Sequence, residues 1–340
     1  MRSYVFAEAP GLESLRLIDR PLPVPGPHDV VVGVRAVSLN YRDLLVAQSQ
    51  QPGSADLGTI PVSDGAGVVL ATGSNVSRVQ PGDRVVASFM RDWIEGPLTP
   101  ARQASSLGAA GVDGLLAEQV VLPEAALVPL PASVSFESAS TLPCAGVTAW
   151  YALFEGARVV PGDTVLLVGT GGVAIWALQL AKVAGARVII TSRSHEKLAR
   201  ARALGADEII NTTTTPAWDD QVRALTNGEG ADHVVESGGP GTFDRSVSSL
   251  RHGGSMSLMG VLSGFADHVS TFGILSKQVR VQGTYVGSRH MLERLLRAVD
   301  VNHIEPVVDR VFPFDAARSA YDFMAAGAHF GKVVIRVAEG

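Results

Sequence analysis

The glycine-rich string Gly169-Thr170-Gly171-Gly172-Val173-Ala174 follows an apolar run at 164–168 and opens an apolar-periodic segment at 172–184. Strand, glycine turn and helix in that order make a site for the diphosphate of a dinucleotide. Gly169 permits the tight turn, and Gly171 lets the backbone approach the phosphates with no Cβ between. Gly172 and Val173 begin the helix, whose free N–H groups and positive dipole end hold an anion. Ala174 is small enough for the helix to pack closely on the strand.

The end of the next strand selects between nicotinamide cofactors. An NAD site places Asp or Glu there, about 20 residues on, to bind the ribose 2′-hydroxyl. Here the string is Thr191-Ser192-Arg193-Ser194, with no carboxylate in it and Lys197 one turn later. A carboxylate about 4 Å from a 2′-phosphate would cost roughly 4 kcal/mol per charge pair at an effective dielectric near 20. A forked guanidinium reverses that sign. Ser192, Arg193 and Lys197 therefore predict NADP(H), with NAD the lesser expectation. Asn211, just after the third strand, is assigned to the same adenosine end.

The elements around these residues fall into two rhythms. Up to about residue 130 the chain reads as short strands, such as 30–34, 67–71 and 84–88, set beside Pro-Gly turns. The stretch 90–114, rich in Gly, Ala, Ser and Pro, reads as one long loop, and loops of that length usually cover a site. From residue 164 apolar strands alternate with helices, the pattern of a parallel sheet covered on both faces. Two similar strings, Pro81-Gly82-Asp83 and Pro161-Gly162-Asp163, reuse one turn device and do not mark a duplicated domain. The tail strand near 332–337 is expected to return to the first domain.

Composition narrows the partners. With 46% hydrophobic residues, 18% charged and a formal net charge of −5 over 340 residues, the chain can build two sizeable cores. It has no basic block for nucleic acid or an anionic membrane. Its single cysteine, Cys144, rules out an intrachain disulfide and suits a reducing compartment. The opening residues lack the apolar run of a signal peptide, so a cytoplasmic location is expected.

Taken together, several strings resemble the medium-chain dehydrogenase/reductase superfamily, in particular its zinc-free quinone oxidoreductase branch. They are Leu39-Asn40-Tyr41-Arg42-Asp43, the Pro-Gly-Asp turns, Leu142-Pro143-Cys144-Ala145-Gly146-Val147-Thr148-Ala149-Trp150, the glycine turn, Leu204-Gly205-Ala206-Asp207 and Phe330-Gly331-Lys332-Val333-Val334. The resemblance spans nearly the whole chain. It implies an α/β protein with a GroES-like β-rich catalytic domain, residues 1–130 and 287–340. A Rossmann domain with a doubly wound parallel sheet, residues 131–286, is inserted between them. It also implies a homodimer formed through the last Rossmann strand.

A catalytic zinc needs three protein ligands and an open position. Between Asp29 and Pro143 there is neither Cys nor His. Asn40 and Asp64 stand where zinc-dependent relatives carry ligands, so Asp64 and Cys144 supply at most two, and no metal is expected. Polarisation of a substrate oxygen then falls to hydrogen-bond donors, Tyr41 first and Arg42 second. Tyr41 reads equally well as a packed structural tyrosine, and water or a ribose hydroxyl could deliver the proton.

The resemblance implies that Asn40 and Asp43 shape the nicotinamide ribose site. It places Thr148, Gly260, Val261, Tyr285 and Val286 on the cofactor, and Lys332 toward its adenosine end. Asp64, Trp93, Ile94 and Cys144 are candidates for the substrate pocket, with Trp93 and Ile94 equally readable as a loop anchor and Cys144 as a small buried hydrophobe. The expected activity is zinc-independent, NADP(H)-dependent reduction of a quinone, enone, alkenal or similar small carbonyl compound. A metal-free alcohol dehydrogenase and a non-catalytic NADPH-binding sensor are the alternatives.

Overall fold

β-branched runs separated by Pro-Gly turns become short strands. In the computed structural model, which describes residues 1–49, 57–109 and 111–338, the first are β1 (Arg2–Phe6), β2 (Leu15–Asp19), β3 (Asp29–Leu39), β4 (Asp64–Thr72), β5 (Arg84–Ala87), β6 (Gln119–Pro123) and β7 (Leu127–Pro129). Then follow β8 (Thr164–Val168), β9 (Arg187–Ser192), β10 (Glu208–Asn211), β11 (Ala231–Glu236), β12 (Leu250–Leu258) and β13 (Arg280–Gly283). The chain closes with β14 (Val308–Pro313) and β15 (Lys332–Arg336). Contacts divide it into two units, Met1–Val147 with Val286–Gly340, and Thr148–Tyr285.

In the first unit β1 and β2 pair with each other, and the main sheet runs β14-β15-β3-β4-β5-β7, with β6 also on β3. β15 lies antiparallel to β3, Val333 opposite Leu39 and Val334 opposite Ser38, so the two ends of the chain share one sheet. Val32, Val37, Leu39, Leu115, Tyr321 and Ile335 belong to its core.

The boundary expected at residue 131 differs from this division. Residues 131–147 cluster with the first unit, where the helix Phe136–Ser140 packs on β3 and β4. Ser38 Oγ donates to the Ser140 carbonyl at 2.8 Å. β3 is buried along nearly its whole length, and a strand buried on both faces needs such a cover.

The stretch 90–114 is more ordered than its composition suggests. Met90 bridges Ser106, and the short helix Pro100–Gln103 is capped by Thr99, whose Oγ1 accepts from Arg102 N–H at 3.3 Å. Leu107 is fully buried, so apolar anchors override the small-residue composition; Ala110 lies outside the described residues.

The second unit is a six-stranded sheet in the order β10-β9-β8-β11-β12-β13, every neighbouring pair parallel. Leu166, Leu167, Ile189, Ile190, Val234 and Val235 are fully buried in it, which accounts for their apolar runs. Strand order reverses between β8 and β11, and ligands of such sheets bind at the carboxyl ends beside that point. The glycine turn directly follows β8 there. Among the described residues no helix is long and apolar enough to cross a membrane.

One strained position leads into the candidate site. Val62 is fully buried at φ 73°, a conformation costing a β-branched residue about 1–3 kcal/mol. Hydrogen bonds hold it there: Gly114 N–H donates to the Ile60 carbonyl at 2.7 Å and Leu115 N–H to that of Val62 at 2.8 Å. A Cβ at Gly114 would stand 2.2 Å from the Val62 carbonyl oxygen. Gly114→Ala should therefore lower the unfolding free energy by about 1–3 kcal/mol in urea titration. An unchanged midpoint would mean that Val62 is not braced by this contact.

Candidate active site

Asn40 ends β3 and starts the helix Tyr41–Ala47, its N–H donating to Asp43 Oδ2 at 2.7 Å as in a capping box. Lys332, at the start of β15, meets that turn. Its Nζ donates to the Leu39 carbonyl at 2.6 Å and to Asn40 Oδ1. Asp64 begins β4 opposite Ser38 and accepts from Ser63 Oγ at 2.8 Å and from the Cys144 backbone N–H at 3.0 Å. Asp43, Asp64 and Lys332 are all buried, at 2%, 0% and 3% exposure. Three ionisable groups out of water, one on a helix and two on strands, make a built site.

Burial dominates their titration. It pushes the Asp64 carboxyl up to about 6, with Lys332 pulling against the rise and Asp43 adding to it. The Asp43 carboxyl also rises through burial, although the Arg42 guanidinium, 3.4 Å away, opposes the shift. Burial lowers the Lys332 ammonium, and Asp64 is the main group resisting that change. The Cys144 thiol is pushed well up by desolvation and then by Asp64, the opposite of what a nucleophilic thiolate needs.

Among the described residues no three His, Cys, Asp or Glu side chains come together as a ligand set. Asp64 reaches Cys144 through the backbone N–H, and the charges of Asp43 and Asp64 are faced by Lys332 and Arg42.

Hydrogen-bond donors remain. Tyr41, at the first turn of its helix, is 42% exposed. The buried Asn40 side chain also meets the Asp64 carboxyl and opposes its rise. Arg42 stacks over the Phe89 ring, 4.8 Å from its centroid, besides pairing with Asp43. Tyr321 has a fully buried hydroxyl with no partner among the described residues, its phenol raised well by burial and by Asp43. Nothing in the sequence singles out Tyr321, because on the helix Ala317–Ala325 it looks like one more residue of an apolar face.

Trp93, readable from the sequence either as an exposed substrate wall or as a loop anchor, is only 3% exposed. Its Nε1 donates to the Gly96 carbonyl at 2.8 Å, and it packs with Phe89, Met90 and Val286, Cys144 lying against the group. It anchors the loop. Ile94 beside it is half-buried.

In the second unit Gly169 adopts φ 92° and donates to the Thr191 carbonyl at 3.1 Å. A Cβ at Gly171 would meet nothing within 4 Å, so the space a phosphate would need is open, and Ala174 is buried under the helix that Gly172 and Val173 begin. At the end of β9 Arg193 is exposed and Lys197 half-buried, while Ser192 Oγ accepts from Ser194 N–H at 3.3 Å. Asn211 Oδ1 accepts from Thr213 N–H at 2.9 Å, so its acceptor is spent on a local turn. Thr148 is buried, Tyr285 is 43% exposed, and Gly260 with Val261 follows β12. Of the expected cofactor residues, Lys332 and Val286 belong to the first unit. Lys332 donates there to the Leu39 carbonyl and to Asn40 Oδ1, within its own unit.

Residues 26–132 match the alcohol dehydrogenase GroES-like domain and residues 172–300 the zinc-binding dehydrogenase family. A zinc-type alcohol dehydrogenase-like protein of Schizosaccharomyces pombe is 39% identical over 344 residues, covering 99% of each chain. This chain is a medium-chain dehydrogenase/reductase. A solved structure of a putative alcohol dehydrogenase from Sinorhizobium meliloti matches this medium-chain dehydrogenase/reductase with a TM-score of 0.93 and 42% identity, covering 99% of this chain and 98% of that one. A quinone oxidoreductase of Pseudomonas syringae pv. tomato matches with a TM-score of 0.83 and 30% identity over 99% of both. The first unit is accordingly the GroES-like domain and the second the Rossmann domain of an NAD(P)-dependent oxidoreductase.

Because the folded Asp64 carboxyl titrates above the unfolded value of 3.8, near 6, the native state holds its proton more tightly. Asp64 thus favours folding below about pH 4, and that contribution is lost as pH rises through about 6. Relative to Asp64→Asn, the wild type should lose on the order of 1–3 kcal/mol between pH 4 and pH 7. Urea unfolding of both proteins across that range measures it, and parallel profiles would refute the assignment.

Proposed function

We propose that this protein is a zinc-independent, NADP(H)-dependent reductase of a quinone, enone, alkenal or similar small carbonyl compound. The observation that carries the reading is the buried set Asn40, Asp43, Asp64 and Lys332, which is charge-compensated by the chain's own cations and offers donors instead of metal ligands. The nicotinamide cofactor supplies hydride when bound. The chain's own contribution is to polarise the acceptor oxygen. Tyr41 is the exposed donor for that work. Asp43 holds Asn40 through its backbone N–H, and Lys332 holds it through Oδ1. A quinone oxidoreductase among the relatives supports this substrate class. The alcohol dehydrogenases among them favour a second reading, alcohol oxidation on the same residues.

The preference for NADP(H) is supported by Ser192, exposed Arg193 and Lys197 at the end of β9. Titrating chelator-treated protein with NADPH and NADH by nicotinamide fluorescence tests cofactor and metal together. NADPH should bind at least about tenfold more tightly, and Arg193→Asp should abolish the difference, since a reversed charge pair is worth several kcal/mol before screening. Equal binding would end the NADP(H) reading, and loss of turnover on chelation restored by zinc would end the metal-free one.

A homodimer is proposed as well. β13 is an edge strand, and the chain just before it exposes Leu262, Phe265, Phe272 and Leu275, with the last two 72% and 74% exposed. Unpaired edges with apolar neighbours are surfaces that proteins usually cover. Sedimentation should give a dimer that Phe272→Glu with Leu275→Glu converts to monomer; a wild-type monomer at micromolar concentration would remove the proposal.

A further inference from the structure

Glu236 ends β11 and is fully buried, yet it belongs to neither the glycine turn nor the charged set of the GroES-like domain. Its Oε1 accepts from Gly238 N–H at 2.6 Å, from Gly239 N–H at 3.1 Å and from Thr242 Oγ1 at 2.7 Å. Its other oxygen, Oε2, accepts from Ser246 Oγ. A buried carboxylate costs several kcal/mol unless donors meet it, and here four do. All four come from the turn and helix that follow β11, so the carboxylate folds residues 237–242 back over the strand end.

That turn is locked in two further directions. Ser237 Oγ donates to the Val168 carbonyl, the residue just before the glycine turn. Gly238 O accepts from Ser263 N–H at 2.9 Å and from Ser263 Oγ at 2.8 Å, while the Glu236 carbonyl accepts from Gly260 N–H at 3.1 Å. A Cβ at Gly260 would lie 1.6 Å from the Ser237 carbonyl oxygen, so the two turns touch backbone to backbone. The turn that the Glu236 side chain shapes thus ties the carboxyl ends of β8, β11 and β12 together. The adenosine-side residues on β9 and β10 take no part in it.

We propose that Glu236 is a positioning residue for the nicotinamide half of the cofactor site, acting by setting the turn 237–242 against Gly260 and Val261. The proposal rests on the reading of Gly260 and Val261 as nicotinamide-side residues. Glu236 touches neither cofactor nor substrate in this role. Its effect is to keep backbone groups at the strand ends where a ring-bearing nucleotide meets them, on the far side of the switch point from the adenosine half.

The test compares binding of NADPH and NADH with that of their adenosine fragments, 2′,5′-ADP and 5′-ADP, to wild type, Glu236→Ala, Glu236→Gln, Glu236→Met and Val261→Trp. Leaving buried donors without an acceptor is expected to weaken binding of the whole cofactor about tenfold in Glu236→Ala. The fragments should bind as to wild type. Glu236→Gln keeps an acceptor for the backbone N–H groups and should restore most of the affinity, whereas Glu236→Met, which fills similar space without an acceptor, should not, although it would if only packing were lost. If Glu236→Ala does not fold, Thr242→Val and Ser246→Ala each remove one donor and should give the same selectivity at smaller size. Fragment binding weakened as much as cofactor binding, or whole-cofactor binding unchanged, would overturn the proposal. Val261→Trp separates it from its foundation. If that variant weakens cofactor but not fragments while Glu236→Ala does nothing, the positioning role alone falls. If Val261→Trp has no effect, the nicotinamide-side reading falls and the proposal with it.

Discussion

A lysine ammonium taken wholly out of water must be met by acceptors and opposing charge, or it will not stay charged. Lys332 is met by the Leu39 carbonyl and Asn40 Oδ1, with the carboxylates of Asp64 and Asp43 resisting its loss of charge. Satisfying it brings together the start of β15, the end of β3 and the cap of the helix Tyr41–Ala47. The return of the tail into the first sheet and the assembly of the candidate site are therefore one event. Asp43 and Asp64 are answered by Arg42 and Lys332.

The surroundings bear the strain of holding that arrangement. Val62, two residues before Asp64, and Val286, against the Trp93 cluster, both sit at positive φ, 73° and 57°. β-branched residues keep such conformations only where neighbouring structure over-determines them. Around Val62 the backbone hydrogen bonds from 114–115 do so, which gives the stretch 90–114 a structural role at its carboxyl end. The Rossmann domain solves its own version of the problem with another buried carboxylate. Glu236 organises a strand end as Asp43 organises a helix start, in each case by accepting from backbone N–H groups.

Local features are legible in the order of residues alone. The glycine turn works through residues 169–174, a span in which strand, turn and helix follow directly, and its open face and close helix packing can be read from residue size. The alternation of apolar strands and helices beyond residue 164 likewise announces a parallel sheet. That the span from Asp29 to Pro143 holds neither Cys nor His can be counted. Trp93 is harder. A tryptophan beside Gly and Pro has the composition of an exposed loop, and only the presence of Phe89, Met90 and Val286 around it makes it an anchor.

By itself, then, the sequence determined the class of the fold, the glycine turn between strand and helix and the residue types at the end of β9, because each depends on neighbours a few positions away. Tertiary structure decided the placement of Lys332, which meets Asn40 across 292 residues of chain, and the burial that moves Asp64 toward neutrality. It also decided the span 131–147, the unpartnered hydroxyl of Tyr321 and the four donors on Glu236. Desolvation and long-range pairing belong to the enclosed volume around a group, and no pattern of neighbouring residues along the chain specifies that volume.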